Sequence, residues 1–378
     1  MAKPKPEGAR RTSALGELMA GMIAADGPMP VDRFFALALG HPQHGYYMGR
    51  DPFGRSGDFI TAPEVSQMFG ELIGIWCAAG WQMMDAPAEW NLIELGPGRG
   101  TLMADALRAC SVMPGLRDGL TVHLVEMSPE LRKLQGETLQ RAGVEPVWHD
   151  RLEDVPDAPS LIIANEFFDA LPVQQIQKQA GRWHERVVGL DADGALAFGL
   201  AADPVPEALV PGWAAGADEG AIAELSPARE AVAREISRRI TAHMGAALII
   251  DYGHVRSGVG DTLQAITKHQ FADVLSRPGE ADITSHVDFE TLAAAITAGG
   301  AKAYGPVTQG EFLTRMGLRE REDMLRKRAD ARARIRLSRG AQRLVAGNQM
   351  GQLFKVLAVT HPDMPKPAPF NIEPEKRA

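Results

Sequence analysis

Eight consecutive residues, Glu94-Leu95-Gly96-Pro97-Gly98-Arg99-Gly100-Thr101, join a carboxylate to three glycines at alternate positions. Glycine has no Cβ, so a turn built from it lets the backbone come close to a bound molecule. A dinucleotide fingerprint requires G-x-G-x-x-G. Here the third glycine, Gly100, arrives one residue early and is followed by Thr101. An acidic residue followed by G-x-G-x-G suits S-adenosylmethionine better, because that molecule has a zwitterionic amino-acid end and no pyrophosphate. On this reading Glu94, Gly96, Pro97, Gly98, Gly100 and Thr101 line the methyl donor. A strand-to-helix turn that binds nothing is the competing reading.

Polar residues recur where further strands end. The apolar run 121–125 stops at Glu126, with Met127 beside it, where a ribose-binding carboxylate is expected. Residues 146–148 run into His149-Asp150; Asp150 is placed to reach an adenine amino group, with Leu152 packing on the ring, and a surface carboxylate explains Asp150 as well. The buried-strand run 160–164 ends at Asn165-Glu166, beside the expected donor. Four strand ends should converge on one crevice.

Positioning such residues takes alternating strands and helices. The run 92–93 leads into the glycine turn and a helix over 102–109. Upstream, helices are expected over 14–25 and 31–39, then a turn-rich aromatic segment, His41 to Tyr47. A polar loop holding Asp58, Thr61, Glu64 and Ser66 precedes an apolar helix over 67–84. That loop either binds a ligand or caps the helix, with Pro63 in the first turn. After Asn165 the alternation breaks into short strands over 173–178, 183–190 and 195–200, turning at Ala180-Gly181 and Asp193-Gly194. A helix over 227–244 leads to a fifth core strand over 246–253, and 352–359 reads as the last strand. The predicted fold class is α/β, a Rossmann-like sheet with an N-terminal helical unit and a β-rich and helical insertion. The expected divisions are 1–86, 87–172, 173–245, 246–360 and a Pro-rich tail, 361–378, lying extended on the surface or disordered.

At 378 residues and 45% hydrophobic, the chain can bury a large core. Its two cysteines, Cys77 and Cys110, sit in apolar helical surroundings and read as packing residues rather than a disulfide or zinc site. Neither a run of about 18 apolar residues nor a secretory pattern is present, so a protein without membrane insertion is expected. Residues 1–11 read as a loose polar tail, too short for a transit peptide, which favours a bacterial cytoplasm over a mitochondrial matrix. The net charge of −8 argues against general nucleic-acid binding. The cation-rich stretch 315–343 is read as a solvated helix face in preference to a basic docking surface.

The chain resembles the MidA-like family, related to the mitochondrial complex I assembly methyltransferases. The resemblance rests on His41 to Tyr47, Gly57-Asp58-Phe59-Ile60-Thr61-Ala62-Pro63-Glu64, Glu94 to Thr101, Asn165-Glu166-Phe167-Phe168-Asp169-Ala170-Leu171-Pro172-Val173, Asp251-Tyr252-Gly253, Asp282 to Phe289 and Gly351 to Lys355. It implies a class I S-adenosylmethionine-dependent methyltransferase fold. For the mitochondrial relatives it implies symmetric dimethylation of an arginine in the 49-kDa-type subunit of complex I. Ile266 and Gln270 depart from the family, where an aromatic residue and an arginine are expected.

Methyl transfer proceeds by in-line attack on a sulfonium methyl, so alignment and exclusion of water are the main tasks. An arginine acceptor is a delocalised cation, and carboxylates must grip it bidentately. Glu166 and Asp169 are the expected pair, with Asn165 on the donor side. Phe167 and Phe168 either wall off the methyl or belong to the core. Glu64 and Asp58 are expected to close the site, and His286 either accepts the released proton or is structural. Two other readings stand beside this one. An assembly chaperone would keep the donor site for structure only, and a small-molecule methyltransferase would need a closed apolar pocket.

Overall fold

The computed structural model describes residues 12–48, 61–267 and 270–371. The tail 1–11, Asp58 with the rest of 49–60, and residues 372–378 lie outside the described residues. The chain divides into two compact units. One holds Met1–Arg50, Pro172–Ser226 and Gly258–Ser285; the other holds Asp51–Leu171, Pro227–Ser257 and His286–Ala378. The divisions expected after 86 and 245 fall inside the second unit, because the helices Gln67–Met83 and Pro227–His243 pack with its sheet.

That sheet has seven principal strands: β1 (Trp90–Leu95), β2 (Leu120–Val125), β3 (Val147–His149), β4 (Ser160–Asn165), β5 (Gly245–His254), β6 (Lys302–Thr308) and β7 (Phe354–Thr360). Their spatial order is β3-β2-β1-β4-β5-β7-β6. All neighbours on the β3 side of β7 run parallel, and β7 runs antiparallel to both β5 and β6. β1 and β4 are buried at every position, as strands covered on both faces must be. The register sets Glu94 beside Ile163 and Asn165 beside Ile250, which brings the ends of β1, β4 and β5 together.

Close helix packing holds the glycine turn in place. Ser66 caps the helix Gln67–Met83 by accepting from the Met68 amide. On that helix, a Cβ at Gly74 would stand 2.3 Å from the Ala106 carbonyl oxygen, so only glycine allows this approach to the helix Thr101–Cys110. Cys110 Sγ lies 3.2 Å from the Gly74 carbonyl oxygen, and both cysteines are buried and free, as their surroundings suggested.

The described part of the proline-rich tail, 361–371, departs from expectation. Met364 and Phe370 are buried in the core of the larger unit, with the Phe370 ring 6.1 Å from that of Phe312. Proline removes backbone donors but does not prevent neighbouring apolar side chains from packing.

The smaller unit holds the expected β-rich insertion. Arg182–Leu190 pairs with Met29–Pro30, Gln174–Gln179 and Leu196–Pro204. The Ala180-Gly181 turn has φ of 50° and 74°, the left-handed pair that a two-residue hairpin needs. In the same unit Tyr47 Oη donates to Asp282 Oδ1 at 3.0 Å, joining two of the segments that carry the family resemblance. Ile266 pairs across strands with Phe271 and Asp282, and Gln270 with Thr267. Among the described residues no helix is long and apolar enough to cross a membrane.

Candidate active site

β1 delivers Glu94 to the mouth of the sheet, and the chain then turns through Gly96, Gly98 and Gly100 with φ of 62°, 55° and 78°. A side chain at Gly96 would also meet the Phe167 ring at 3.0 Å. The turn opens onto a cleft lined in part by Glu64, Glu94, Gly98, Thr101, Asn165 and Glu166. Gly96 and Pro97 line it too. Glu94 is 2% exposed and its Oε2 has no hydrogen-bond partner among the described residues. Burial without a counter-charge pushes its titration up to about 8. Across the cleft, Thr101 Oγ1 donates to Glu64 Oε1 at 2.7 Å. Thr61 makes no side-chain cap to the short helix Ala62–Val65 and lines the cleft, whereas Ser66 caps the helix that follows.

Glu166 follows β4 with φ of 50°, a backbone conformation costly for a residue with a Cβ and concentrated at functional sites. Its Oε1 accepts from the Ala62 amide at 3.1 Å and from Asn165 Nδ2 at 3.3 Å. Burial and the neighbouring Asp169 carboxylate raise its titration to about 7, against those two hydrogen bonds. The loop after Glu166 is held from both sides. Asp251 Oδ2, at the end of β5, accepts from the Phe168 and Asp169 amides at 3.0 and 3.1 Å. Arg229 donates to the carbonyls of Phe168, Asp169 and His286 at 2.7, 3.3 and 2.7 Å. Neither Asp251 nor Arg229 had been given a role from the sequence.

Gln135 is the other unassigned residue that the site depends on. It is fully buried; Nε2 donates to the Gly98 carbonyl at 2.8 Å and to Glu126 Oε2 at 3.1 Å, while Oε1 accepts from Trp148 Nε1 at 2.8 Å. One side chain therefore ties the glycine turn to the ends of β2 and β3. Leu131, Gln135 and Leu139 form the buried stripe of the helix Pro129–Arg141. A glutamine on an apolar stripe at four-residue spacing was the available signal.

The remaining candidates are distributed more widely. Glu126 does not line the cleft; its carboxylate accepts from the Ser128 amide at 2.8 Å as well as from Gln135, and burial still raises its titration. Met127 is 59% exposed next to it. Asp150 is mostly exposed and pairs with Arg132 at 2.6 Å. Leu152 is buried in the core that also holds Phe168, while Phe167 packs only partly against that core and covers the glycine turn. Asp169 is 6% exposed and outside the cleft; burial raises its titration against the opposing Tyr252 hydroxyl and Arg229. His286 also lies off the cleft wall, edge-on to Tyr252 at 5.6 Å, and burial together with His254, Arg229 and Lys355 lowers its titration.

The strand order, the antiparallel seventh strand and the glycine turn after the first strand define a class I S-adenosylmethionine-dependent methyltransferase. Residues 72–307 match the family described as "Putative S-adenosyl-L-methionine-dependent methyltransferase", and the chain belongs to that family. It is 37% identical to the mitochondrial protein arginine methyltransferase NDUFAF7 homolog of Drosophila melanogaster, over 94% of this chain and 88% of that one. Identity to the mitochondrial protein arginine methyltransferase NDUFAF7 of Homo sapiens is 35%, over 89% and 81% of the two chains. A COG1565 superfamily member from Burkholderia thailandensis, crystallised with S-adenosyl-homocysteine, is similar with a TM-score of 0.81 and 30% identity, covering 96% of this chain and 95% of that one. The residues present fit the donor, since the buried Glu94 Oε2 and Asn165 Oδ1, on residues that line the cleft, both lack hydrogen-bond partners among the described residues and suit an ammonium group.

Proposed function

We propose that the chain is a protein arginine methyltransferase, acting on an arginine of a complex I subunit of the 49-kDa type, as the names of its relatives suggest for the acceptor residue. The observation that carries this reading is the partly buried carboxylate of Glu166, on a left-handed backbone, in the same cleft as Glu64 and Glu94. A site that gathers three carboxylates with one end of its donor cationic has acidic capacity left for a second cation. Bound S-adenosylmethionine supplies an electrophilic methyl on a sulfonium. Glu94 and Asn165 hold the ammonium end, the glycine turn lets the backbone approach, and Glu126, steadied by Gln135, takes the ribose hydroxyls.

Glu166 grips the guanidinium and localises electron density on the attacking nitrogen, with Glu64 as its partner across the cleft. Asp169 is read as a positioning residue, since its buried loop on Asp251 and Arg229 fixes the strained backbone of Glu166. Phe167 excludes water from the turn. His286, off the cleft wall, is read as structural, its backbone carbonyl accepting from Arg229. The compartment follows complex I, which means a bacterial cytoplasm or, in a eukaryote, the mitochondrial matrix.

The test is intact-mass analysis of the purified subunit after incubation with the protein and the donor. A gain of methyl groups mapped to one arginine supports the reading. An unmodified subunit, or modification elsewhere than arginine, overturns it.

A further inference from the structure

Residues 315–343 run against the charge of the molecule: they hold eleven Arg and Lys against four Asp and Glu, in a chain of net charge −8. They build the helices Leu318–Lys327 and Ala331–Val345 of the larger unit. Some of these cations are spent internally. Arg315, Arg321 and Arg326 pair with Glu311, Glu71 and Glu322, and Arg334 donates to the carbonyls of Arg326 and Ala329. Arg332, Arg336 and Arg339 are exposed, and none of them has an acidic partner among the described residues.

Spacing turns these residues into a ladder. Arg332, Arg336, Arg339 and Arg343 follow one another at intervals of four, three and four, which places them on one stripe of the helix. The flank beside that stripe is the one packed on the cleft. A Cβ at Gly340 would stand 3.2 Å from Ser66 Cβ and 3.3 Å from the Val65 carbonyl oxygen, so the helix passes tightly against the short helix Ala62–Val65. Pro63 and Glu64 of that helix line the cleft. The charge of Arg343 is felt at Glu166, where it opposes the rise in titration. The ladder therefore starts near the acceptor carboxylate and runs outward for about 16 Å at roughly 1.5 Å per residue.

Arginines beside a site that receives arginine would repel it unless negative charge travels with the acceptor. Carboxylates in the cleft and cations on the adjoining ladder are together complementary to a chain that carries one arginine followed by acidic residues. A ladder of this length spans about five residues of extended peptide. Ile335, 55% exposed on the same helix, adds an apolar contact.

We propose that Arg332, Arg336 and Arg339 dock an acidic segment of the protein acceptor adjacent to the arginine that enters the cleft. This rests on the arginine-methyltransferase reading, but docking can be measured without any methyl transfer. Two fluorescent peptides are titrated into the full chain, one with a single arginine followed by a run of glutamates and one with glutamines in their place. Anisotropy should show at least about tenfold tighter binding of the glutamate peptide, weakening as salt rises. R332E/R336E/R339E should abolish the preference while leaving S-adenosylmethionine affinity by calorimetry unchanged. In turnover with the glutamate peptide, KM should rise and kcat hold. The milder R332Q/R336Q/R339Q repeats the test should the reversal fail to fold.

Equal binding of the two peptides overturns the proposal, as does an unchanged preference in both variants. Loss of binding only to single-stranded RNA or to phosphatidylserine vesicles also overturns it, assigning the ladder to those polyanions. A glutamate peptide that binds through the ladder yet gains no methyl in intact-mass analysis overturns the arginine reading and leaves the docking surface standing.

Discussion

Glu94 is a carboxylate whose ionisation the fold opposes and, on the proposed reading, the donor's ammonium favours. Its titration in the ligand-free protein is raised from the ordinary 4.5 to about 8, so the folded state holds this proton more tightly than the unfolded chain. Its contribution to stability is full below about pH 4.5 and is lost as pH rises through about 8. Glu94→Gln should therefore raise the Tm of the ligand-free protein at pH 8 in differential scanning fluorimetry and weaken donor binding about tenfold to hundredfold, in line with roughly 1.5–3 kcal/mol for a charged hydrogen bond. Wild-type donor affinity by calorimetry should climb with pH towards about 8 and fall once the donor's own amine deprotonates. The glutamine variant should lose the climbing limb.

Glu166, raised to about 7 by burial and Asp169, follows the same logic at the proposed acceptor site. Transfer to an arginine peptide should rise as pH passes through about 7. Glu166→Gln should keep donor binding and lose at least about a hundredfold in rate, read by radiolabelled methyl incorporation. Transfer at the wild-type rate would remove Glu166 from the mechanism. Glu94 was legible as a candidate from the motif; that burial alone would govern its titration was not.

At the scale of elements, the site depends on parts that bind nothing themselves. The helix Pro129–Arg141 contributes Gln135, whose amide satisfies three groups on three different strand ends. Gln135→Ala should orphan the Gly98 carbonyl and the Trp148 indole N–H, at about 1–3 kcal/mol of stability. Donor affinity should fall with it, unlike in Glu166→Gln, and chemical denaturation with calorimetry separates the two effects. The helix Pro227–His243 does the equivalent for the loop after Glu166 through Arg229. Both helices were visible as helices from periodicity, because a 3.6-residue pattern is local. Which side chain reaches which strand end depends on packing between segments far apart in sequence, and so did not show.

For the whole molecule, the division into units was misjudged from the sequence where a helix is amphipathic without a stated partner. Gln67–Met83 follows the N-terminal helices in sequence but packs on the helix Thr101–Cys110 through Gly70 and Gly74 and meets the sheet where Gly80 faces Leu161. The tail shows the same limit: Phe370→Ala should cost about 3–5 kcal/mol by denaturation, as expected for a buried ring and far from what a disordered tail would give. The sequence by itself determined the strand-turn-helix at Glu94 to Thr101, the donor class, the alternating α/β order and the family, because these rest on spacing along a few residues. Only tertiary structure decided that Glu166 lines the cleft while Asp169 turns to the Asp251 and Arg229 framework. Two carboxylates three residues apart look equivalent in a sequence, and what separates them is a left-handed backbone angle together with the strand ends that surround each one.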